Sequence, residues 1–433
     1  MSPTVGLRRV LVAFVCLIVG AKCLPFNLNL NPQQVHLSAT GDATEMVVTW
    51  NTFENAQSVV QFGPVKTGPS RQATGASSKF VNAGVLKRPE YIHRVKLTGL
   101  TPGAKYAYKC GSSEGWSSVF NFRALLNGTD WSPRLAIYGD MGLANAQSLG
   151  LLKTAAQEGA IDAIIHNRDF AYDMNSAEGL VGDEFMRMIE PVAAYVPYMT
   201  SVGNHENANN FSNYKNRFTM PLYEQNQNMW YSWNLGRAHF VVFSSEVYFY
   251  TNDSKETKAN QLEWLTNDLK VANEPQNRAK RPWIVTLAHR PMYCTTNDGD
   301  DCNKRTSILR DALEDLFYNN GVDLEIWAHE HNYERLWPVY REKVYNGSME
   351  KPYTNPKAPV HVITGSAGCP ERRTIFVDPM PWDAFRSNDY GFTTLQVINQ
   401  THLAWQQVSD DKKGKIIDKV MLIKEKHGVQ AWL

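Results

Sequence analysis

From Trp131 onward the chain alternates short, β-branched apolar runs with helix-like stretches, and run after run stops at a residue able to hold a cation. This pattern constrains the fold more than any other feature. Strands alternating with helices build a largely parallel sheet with helices on its faces, and ligands sit at the carboxyl ends of such strands. The clearest instance is the segment 134–173, which reads R-L-A-I-Y-G-D-M-G, a helix-like stretch, then I-D-A-I-I-H-N-R-D-F-A-Y-D. Each half ends abruptly at an aspartate, Asp140 and Asp169, and two carboxylates delivered to one sheet edge suit hard cations. Strands are predicted at 135–138, 163–166, 198–202, 239–243, 284–288, 324–328 and 360–364. Helices are predicted over 258–271, with Leu262, Leu265 and Leu269 on one face, and over 308–317. The tail from Tyr390 reads as closing strands of the same domain.

Composition mostly excludes classes. A chain of 433 residues holds two or three domains of usual size. With 43% hydrophobic and 20% charged residues it is an ordinary folded protein. A net charge of +1 gives no case for a nucleic-acid surface or a polybasic membrane patch.

The N-terminus reads as an address. Arg8 and Arg9 precede an apolar run from Val10 to Ala21, and Ala21-Lys22-Cys23 puts small residues at the cleavage positions. That is the pattern of a secretory signal peptide over 1–23. The run is short for a bilayer span, and no other stretch is long and apolar enough for one. Secretion, or delivery to the lysosome, is therefore expected. Five sequons, at Asn127, Asn210, Asn252, Asn346 and Asn399, then become glycosylation sites. Past the signal four cysteines remain, an even number that in an oxidising compartment points to two disulfides. Three pairings exist. Cys294 with Cys302 would close a short loop, which leaves Cys110 with Cys369.

Residues 24–125 read as an all-β module. Met46-Val47-Val48-Thr49-Trp50 alternates like a half-buried strand. Leu97 and Leu100 pin a corner, Pro102-Gly103 make a turn, and Tyr106 and Tyr108 share one face of the next strand. The module resembles a fibronectin type III sandwich with Trp50 as its core tryptophan. Packing and positioning are its expected roles.

Five short motifs fall at predicted strand ends: Gly139-Asp140-Met141-Gly142, Asp169-Phe170-Ala171-Tyr172, Gly203-Asn204-His205-Glu206, His289-Arg290-Pro291 and Ala328-His329-Glu330-His331. Singly each is weak, because an aspartate after a strand is commonly a helix cap and a lone histidine a satisfied core residue. The ordered set is specific. It resembles the purple acid phosphatases within the metallophosphoesterase family, in their larger form with a fibronectin-like N-terminal domain, and the resemblance covers nearly the whole mature chain.

The resemblance implies a fold and a ligand set. The fold is a β-sandwich followed by an α/β metallophosphoesterase domain of mixed sheets flanked by helices, over 132–385, closed by 386–433. Asp140, Tyr172 and His331 would hold ferric iron. Asn204, His289 and His329 would hold a divalent ion (iron, zinc or manganese), and Asp169 would bridge the two. Phenolate and carboxylate are hard donors suited to a trivalent ion, whereas imidazoles and a neutral amide oxygen suit a softer one. His205 would be the general acid toward the leaving group, with Glu206 as a group that orients it in an alternative reading. His166, His239 and His361 lie within apolar strand patterns and read as structural.

The sequence departs from the family pattern in places. The glycine expected before the bridging aspartate is Arg168. Three outcomes are open: the side chain clashes, it weakens ion binding, or it swings out to help bind phosphate. Ala328 replaces a glycine before His329. Plant members carry a His pair downstream of the lone metal His; here that region is the acidic stretch between Cys294 and Cys302, read as a solvated, disulfide-closed loop.

The expectation is a secreted binuclear acid phosphatase, hydrolysing small-molecule or phosphoprotein monoesters by attack of a hydroxide held on or between the ions. The rival readings are a catalytically weakened glycoprotein with a binding role, and a phosphodiesterase or nucleotidase.

Overall fold

The computed structural model describes residues 28–250, 254–297 and 299–432. The expected signal peptide and the sequon at Asn252 lie outside the described residues. Among those residues no helix is long and apolar enough to cross a membrane. The N-terminal module runs β1 (Gln33–Ser38), β2 (Met46–Thr52), β3 (Val59–Pro64), β4 (Arg71–Thr74), β5 (Ala76–Val81), β6 (Pro89–Leu97), β7 (Lys105–Ser112), β8 (Gly115–Trp116) and β9 (Phe120–Arg123). One sheet has the order β1-β2-β6-β5; the other has the order β4-β3-β7-β8, with β9 on β7. Alternating residues point inward, as two packed sheets require. Val48, Trp50, Val60, Val95, Leu97, Tyr106 and Tyr108 share one core, and Trp50 stacks on His93 at 4.9 Å.

The second unit contains β10 (Arg134–Tyr138), α1 (Leu149–Glu158), β11 (Ala163–His166), α2 (Leu180–Ala193), β12 (Tyr198–Thr200), α3 (Ala208–Arg217), α4 (Tyr223–Asn226), β13 (Tyr231–Leu235), β14 (Ala238–Val242), α5 (Ser254–Ala272), α6 (Pro275–Lys280), β15 (Trp283–Leu287), α7 (Asp315–Asn319) and β16 (Leu324–Trp327). After these come β17 (Tyr333–Leu336), β18 (Val339–Tyr340), β19 (Lys343–Val344), β20 (Val360–Thr364), β21 (Asp383–Ser387), β22 (Gly391–Val397), β23 (His402–Ser409) and β24 (Lys415–Ile423). Two mixed sheets result, ordered β12-β11-β10-β22-β23-β24 and β13-β14-β15-β16-β20-β17-β21. In the first, β10, β11 and β12 are parallel; in the second, β14, β15, β16 and β20 are. Their buried Val, Ile, Leu and Trp merge into one core spanning both sheets. In the tail, β22 pairs antiparallel to β10.

The module docks through a buried ion cluster. Arg217, at the end of α3, reaches Glu90 of β6 and Asp183 of α2, each at 2.9 Å. Tyr108 donates its hydroxyl proton to Ala194 O at 2.8 Å. Burial is what pushes the Glu90 carboxyl up, and Arg217 opposes it. Arg88 reaches the same two carboxylates, Glu90 at 3.0 Å and Asp183 at 2.8 Å, so removing Arg217 would leave the buried pair to a single, partly exposed cation, a costly way to break such a cluster.

The strand predictions differ from the structure mainly at one end. The strand expected over 198–202 stops at Thr200 because the backbone turns there toward Asn204. Gly203 permits the turn, since a Cβ on it would stand 2.2 Å from Asp169 Oδ1. The helix expected over 308–317 is a wide π turn, Arg310–Glu314, running into α7.

The cysteine reading is half corrected. Cys294 and Cys302 are joined, but Cys110 and Cys369 are free thiols. Cys110 is sealed in the sandwich core, whereas Cys369 is buried beside His331 in the other unit. The even count misled because it is blind to which core each thiol enters. Of the sequons described, Asn127, Asn210 and Asn399 are exposed, and Asn346 is half-buried.

Candidate metal centre

The two sheets bring their parallel strand ends together. Gly139 N, just past β10, donates to Thr364 O at 2.8 Å, and Asp140 N donates to Arg168 O at 3.0 Å. Asn167 Nδ2, just past β11, donates to Ala288 O at 2.9 Å, lacing one sheet to the other. His329 N donates to Asp140 Oδ2 at 3.0 Å. The local backbone is unusual. Asp140 (φ 57°), Arg168 (86°), Asp169 (45°), Tyr172 (56°) and His329 (71°) all occupy the left-handed region. Each such residue costs about 1 kcal/mol or more, and strain of this kind collects where side chains must be aimed.

Seven side chains singled out in the sequence meet here, in two groups. In the first, His289 Nε2 lies 2.7 Å from Asn204 Oδ1, 3.0 Å from His329 Nδ1 and 3.2 Å from Asp169 Oδ2. One ring nitrogen carries at most one proton, so it cannot satisfy three partners of this kind. A cation at the convergence would satisfy all of them. In the second, Tyr172 Oη lies 3.0 Å and Asp140 Oδ1 3.6 Å from His331 Nε2. Asp140 Oδ1 is buried with no hydrogen-bond partner.

Charge tells the same story. Burial pushes the Asp140 carboxyl well above its ordinary value, and Asp169 adds to the push. Burial likewise raises the Tyr172 hydroxyl, helped by both aspartates. Burial would also raise Asp169, but the imidazoles of His289, His205 and His329 overcome it and hold that carboxyl low. Packed acids that repel one another, with a bare oxygen between them, fit a hard, highly charged ion.

His205 stands at the edge. Its ring lies 4.5 Å from that of Tyr172, and its Nδ1 is 3.1 Å from Asp173 Oδ1. Burial would lower its pKa, but Asp169 and Asp173 more than reverse this, so the net shift is upward. Glu206 does not orient it. The Glu206 carboxylate accepts from Gly203 N at 2.9 Å and Phe170 N at 3.1 Å, bracing the loops that carry Asn204 and Asp169. Asp173 takes the orienting place, and only its position one residue after Tyr172 hinted at it.

Arg168 neither clashes nor reaches for phosphate. It is 0% exposed and turned away from the cluster. Its Nε donates to Ser201 Oγ at 2.9 Å, its Nη1 to Ser245 Oγ at 2.7 Å, and its Nη2 to Phe243 O. Burial lowers its pKa to about 10, with Glu246 opposing, so it stays charged.

The cluster opens into a cavity of about 450 Å³. Sequence reasoning missed Asp300, Glu371, Arg372 and Arg373 in its lining, and gave no role to Arg290. These groups sit on loops with no periodic pattern. His166, His239 and His361 are structural, as expected: each is tied to its surroundings, His166 to Tyr198 Oη at 2.6 Å, His239 to Asn234 Oδ1 at 2.9 Å and to Asp268 of α5 at 2.8 Å, and His361 to Trp327 Nε1 at 3.1 Å.

Two facing mixed sheets with Asp, Asn and His at their parallel strand ends define a metallophosphoesterase, and residues 133–333 match the calcineurin-like phosphoesterase family. Residues 32–124 match the purple acid phosphatase N-terminal domain, and residues 358–419 match the iron/zinc purple acid phosphatase-like protein C family. The chain is 51% identical to acid phosphatase type 7 of Mus musculus, with 98% of each covered, and 52% identical to that of Homo sapiens, with 93% of each covered. Among solved structures, purple acid phosphatase PPD1 from yellow lupin (Lupinus luteus) seeds superposes with a TM-score of 0.77 at 25% identity, over 91% of this chain and 74% of that one. The chain belongs to the purple acid phosphatase family.

Proposed function

We propose that the chain is an acid phosphatase that hydrolyses phosphate monoesters at this cluster, as an exported glycoprotein. The carrying observation is the crowding of Asn204, His329 and Asp169 donor atoms within 2.7–3.2 Å of His289 Nε2. On this reading Asn204, His289 and His329 hold a divalent ion (iron, zinc or manganese). Asp140, Tyr172 and His331 hold ferric iron, and Asp169 bridges. When bound, the pair supplies Lewis acidity to the phosphoryl group and lowers the pKa of a water at the same edge.

The protein's own groups do the rest. Arg290 and Arg372 line the cavity and meet the charge of a phosphate dianion. His205 holds a proton through Asp173 and Asp169, and it delivers that proton to the departing alkoxide. Its raised pKa keeps it protonated to higher pH than a free imidazole, which suits a general acid working below neutrality. Tyr172 favours this reading over a diesterase, because a phenolate suits a trivalent ion. The buried, outward-turned Arg168 removes the main argument for a crippled site.

Comparative turnover tests the proposal. With an aryl phosphate monoester and the matching diester at mildly acid pH, the monoester should be hydrolysed at least about 100-fold faster. Preference for the diester would overturn it.

A further inference from the structure

The acidic stretch inside the Cys294–Cys302 disulfide is not simply solvated. It delivers Asp300 to the rim of the ion cluster. Asp300 Oδ2 lies 2.7 Å from His329 Nε2. Both Asp300 oxygens also accept from Arg290 Nη1 at 2.7 Å. Arg290 is anchored in turn, its Nε donating to Glu246 Oε2 at 3.1 Å. Glu246 is buried, and its Oε1 accepts from Ser245 Oγ at 2.8 Å. A chain of contacts thus runs from the interior to His329 and ends in a carboxylate.

An imidazole has two nitrogens, and what one does fixes the other. A carboxylate at Nε2 keeps the ring proton there. Nδ1 is then left with its lone pair, on the side where it lies 3.0 Å from His289 Nε2. Arg290 Nη1 also lies 3.2 Å from His329 Nε2, but its hydrogens go to the Asp300 oxygens at the shorter distance. Ligating histidines commonly donate their other N–H to a carboxylate, which fixes the ring and raises its basicity. His331 is oriented by different groups, its Nδ1 lying 2.9 Å from Arg372 O and 3.0 Å from Cys369 Sγ.

We propose that Asp300 is a positioning residue: it fixes the tautomer and orientation of His329 so that Nδ1 serves the ion shared with Asn204 and His289, with Arg290 and Glu246 holding Asp300 in place. The proposal rests on the reading of His329 as an ion ligand. It is selective, because the contact is made to His329 and not to the Tyr172 half of the cluster.

The test is a Zn²⁺ titration of the full chain against a competing chromophoric chelator. For the unsubstituted protein, binding of about two ions is expected. Asp300→Ala should weaken one of them by about 10- to 100-fold and leave the other unchanged. Asp301→Asn is the control: its carboxylate caps Ile308 N at 2.9 Å on the same loop, and both ions should bind it as they bind the unsubstituted chain. Thermal melting of the metal-free proteins should show Asp300→Ala folded. Unchanged binding in Asp300→Ala would overturn the positioning role while leaving the site reading intact, and equal weakening of both ions would mark a general structural role and overturn it too. If the unsubstituted chain binds no Zn²⁺, the site reading falls and this inference falls with it.

Discussion

Asp169→Ala should lower phosphomonoester turnover by at least about 1,000-fold and strip the protein of most of its metal. On the proposed assignment Asp169 is the side chain shared by the two ions. Its Oδ2 lies 3.2 Å from His289 Nε2, and its Oδ1 accepts from His205 N at 3.2 Å. Against the pull of burial, the imidazoles of His289, His205 and His329 also hold its carboxyl well below the usual carboxylate range, so it stays ionised. Deleting it removes an anionic donor from each ion and frees the His205 backbone at the same stroke. Each loss is worth several kcal/mol, and about 1.4 kcal/mol is a factor of ten in rate. Metal content and turnover measured on one preparation check this together. Full metal content with normal turnover would show that Asp169 does not bridge.

Arg168→Gly should do the opposite of what its place in the motif suggests. Against the family pattern, this change restores the expected glycine beside the bridging aspartate and ought to repair the site. The structure gives another outcome. The guanidinium points away from the cluster into a polar pocket made by Ser201, Ser245 and Phe243 O. Removing it leaves a cavity and takes three charge-assisted hydrogen bonds with it, a loss of about 3–5 kcal/mol. Relief of the left-handed backbone at φ 86° returns about 1 kcal/mol. The net expectation is a protein less stable by about 3 kcal/mol with its metal stoichiometry unchanged. Chemical denaturation and metal analysis of the variant are the checks. A rise in bound iron and activity together would mean that Arg168 does impair the site.

These two positions show what a sequence can and cannot disclose. Asp140, Asp169, Asn204, His289 and His329 were legible because each follows an apolar run, and a strand end is where a backbone delivers ligands. Tyr172 and His331 follow at fixed short spacing from those ends. The direction of Arg168 was not legible, because its pocket is made by Ser201 and Ser245, distant in sequence. Asp300 was hidden for a related reason. Within an acidic loop nothing marks one carboxylate as the partner of a histidine just past a distant strand. The thiols of Cys110 and Cys369 failed as a pair because pairing is a property of the two cores rather than of their count. Helix α2 carries Pro191 and helix α3 reads A-N-N-F-S-N-Y-K-N-R, rich in asparagine, so neither offers a strong helical signal in the sequence.

The most direct test of the account is metal analysis with a visible absorption spectrum on the purified protein. It should contain about two metal ions per chain, at least one of them iron, and show a broad charge-transfer band from Tyr172 bound to ferric iron. Substitution of Tyr172 by Phe should remove that band. A colourless protein that takes up no metal on reconstitution would contradict the account at its centre.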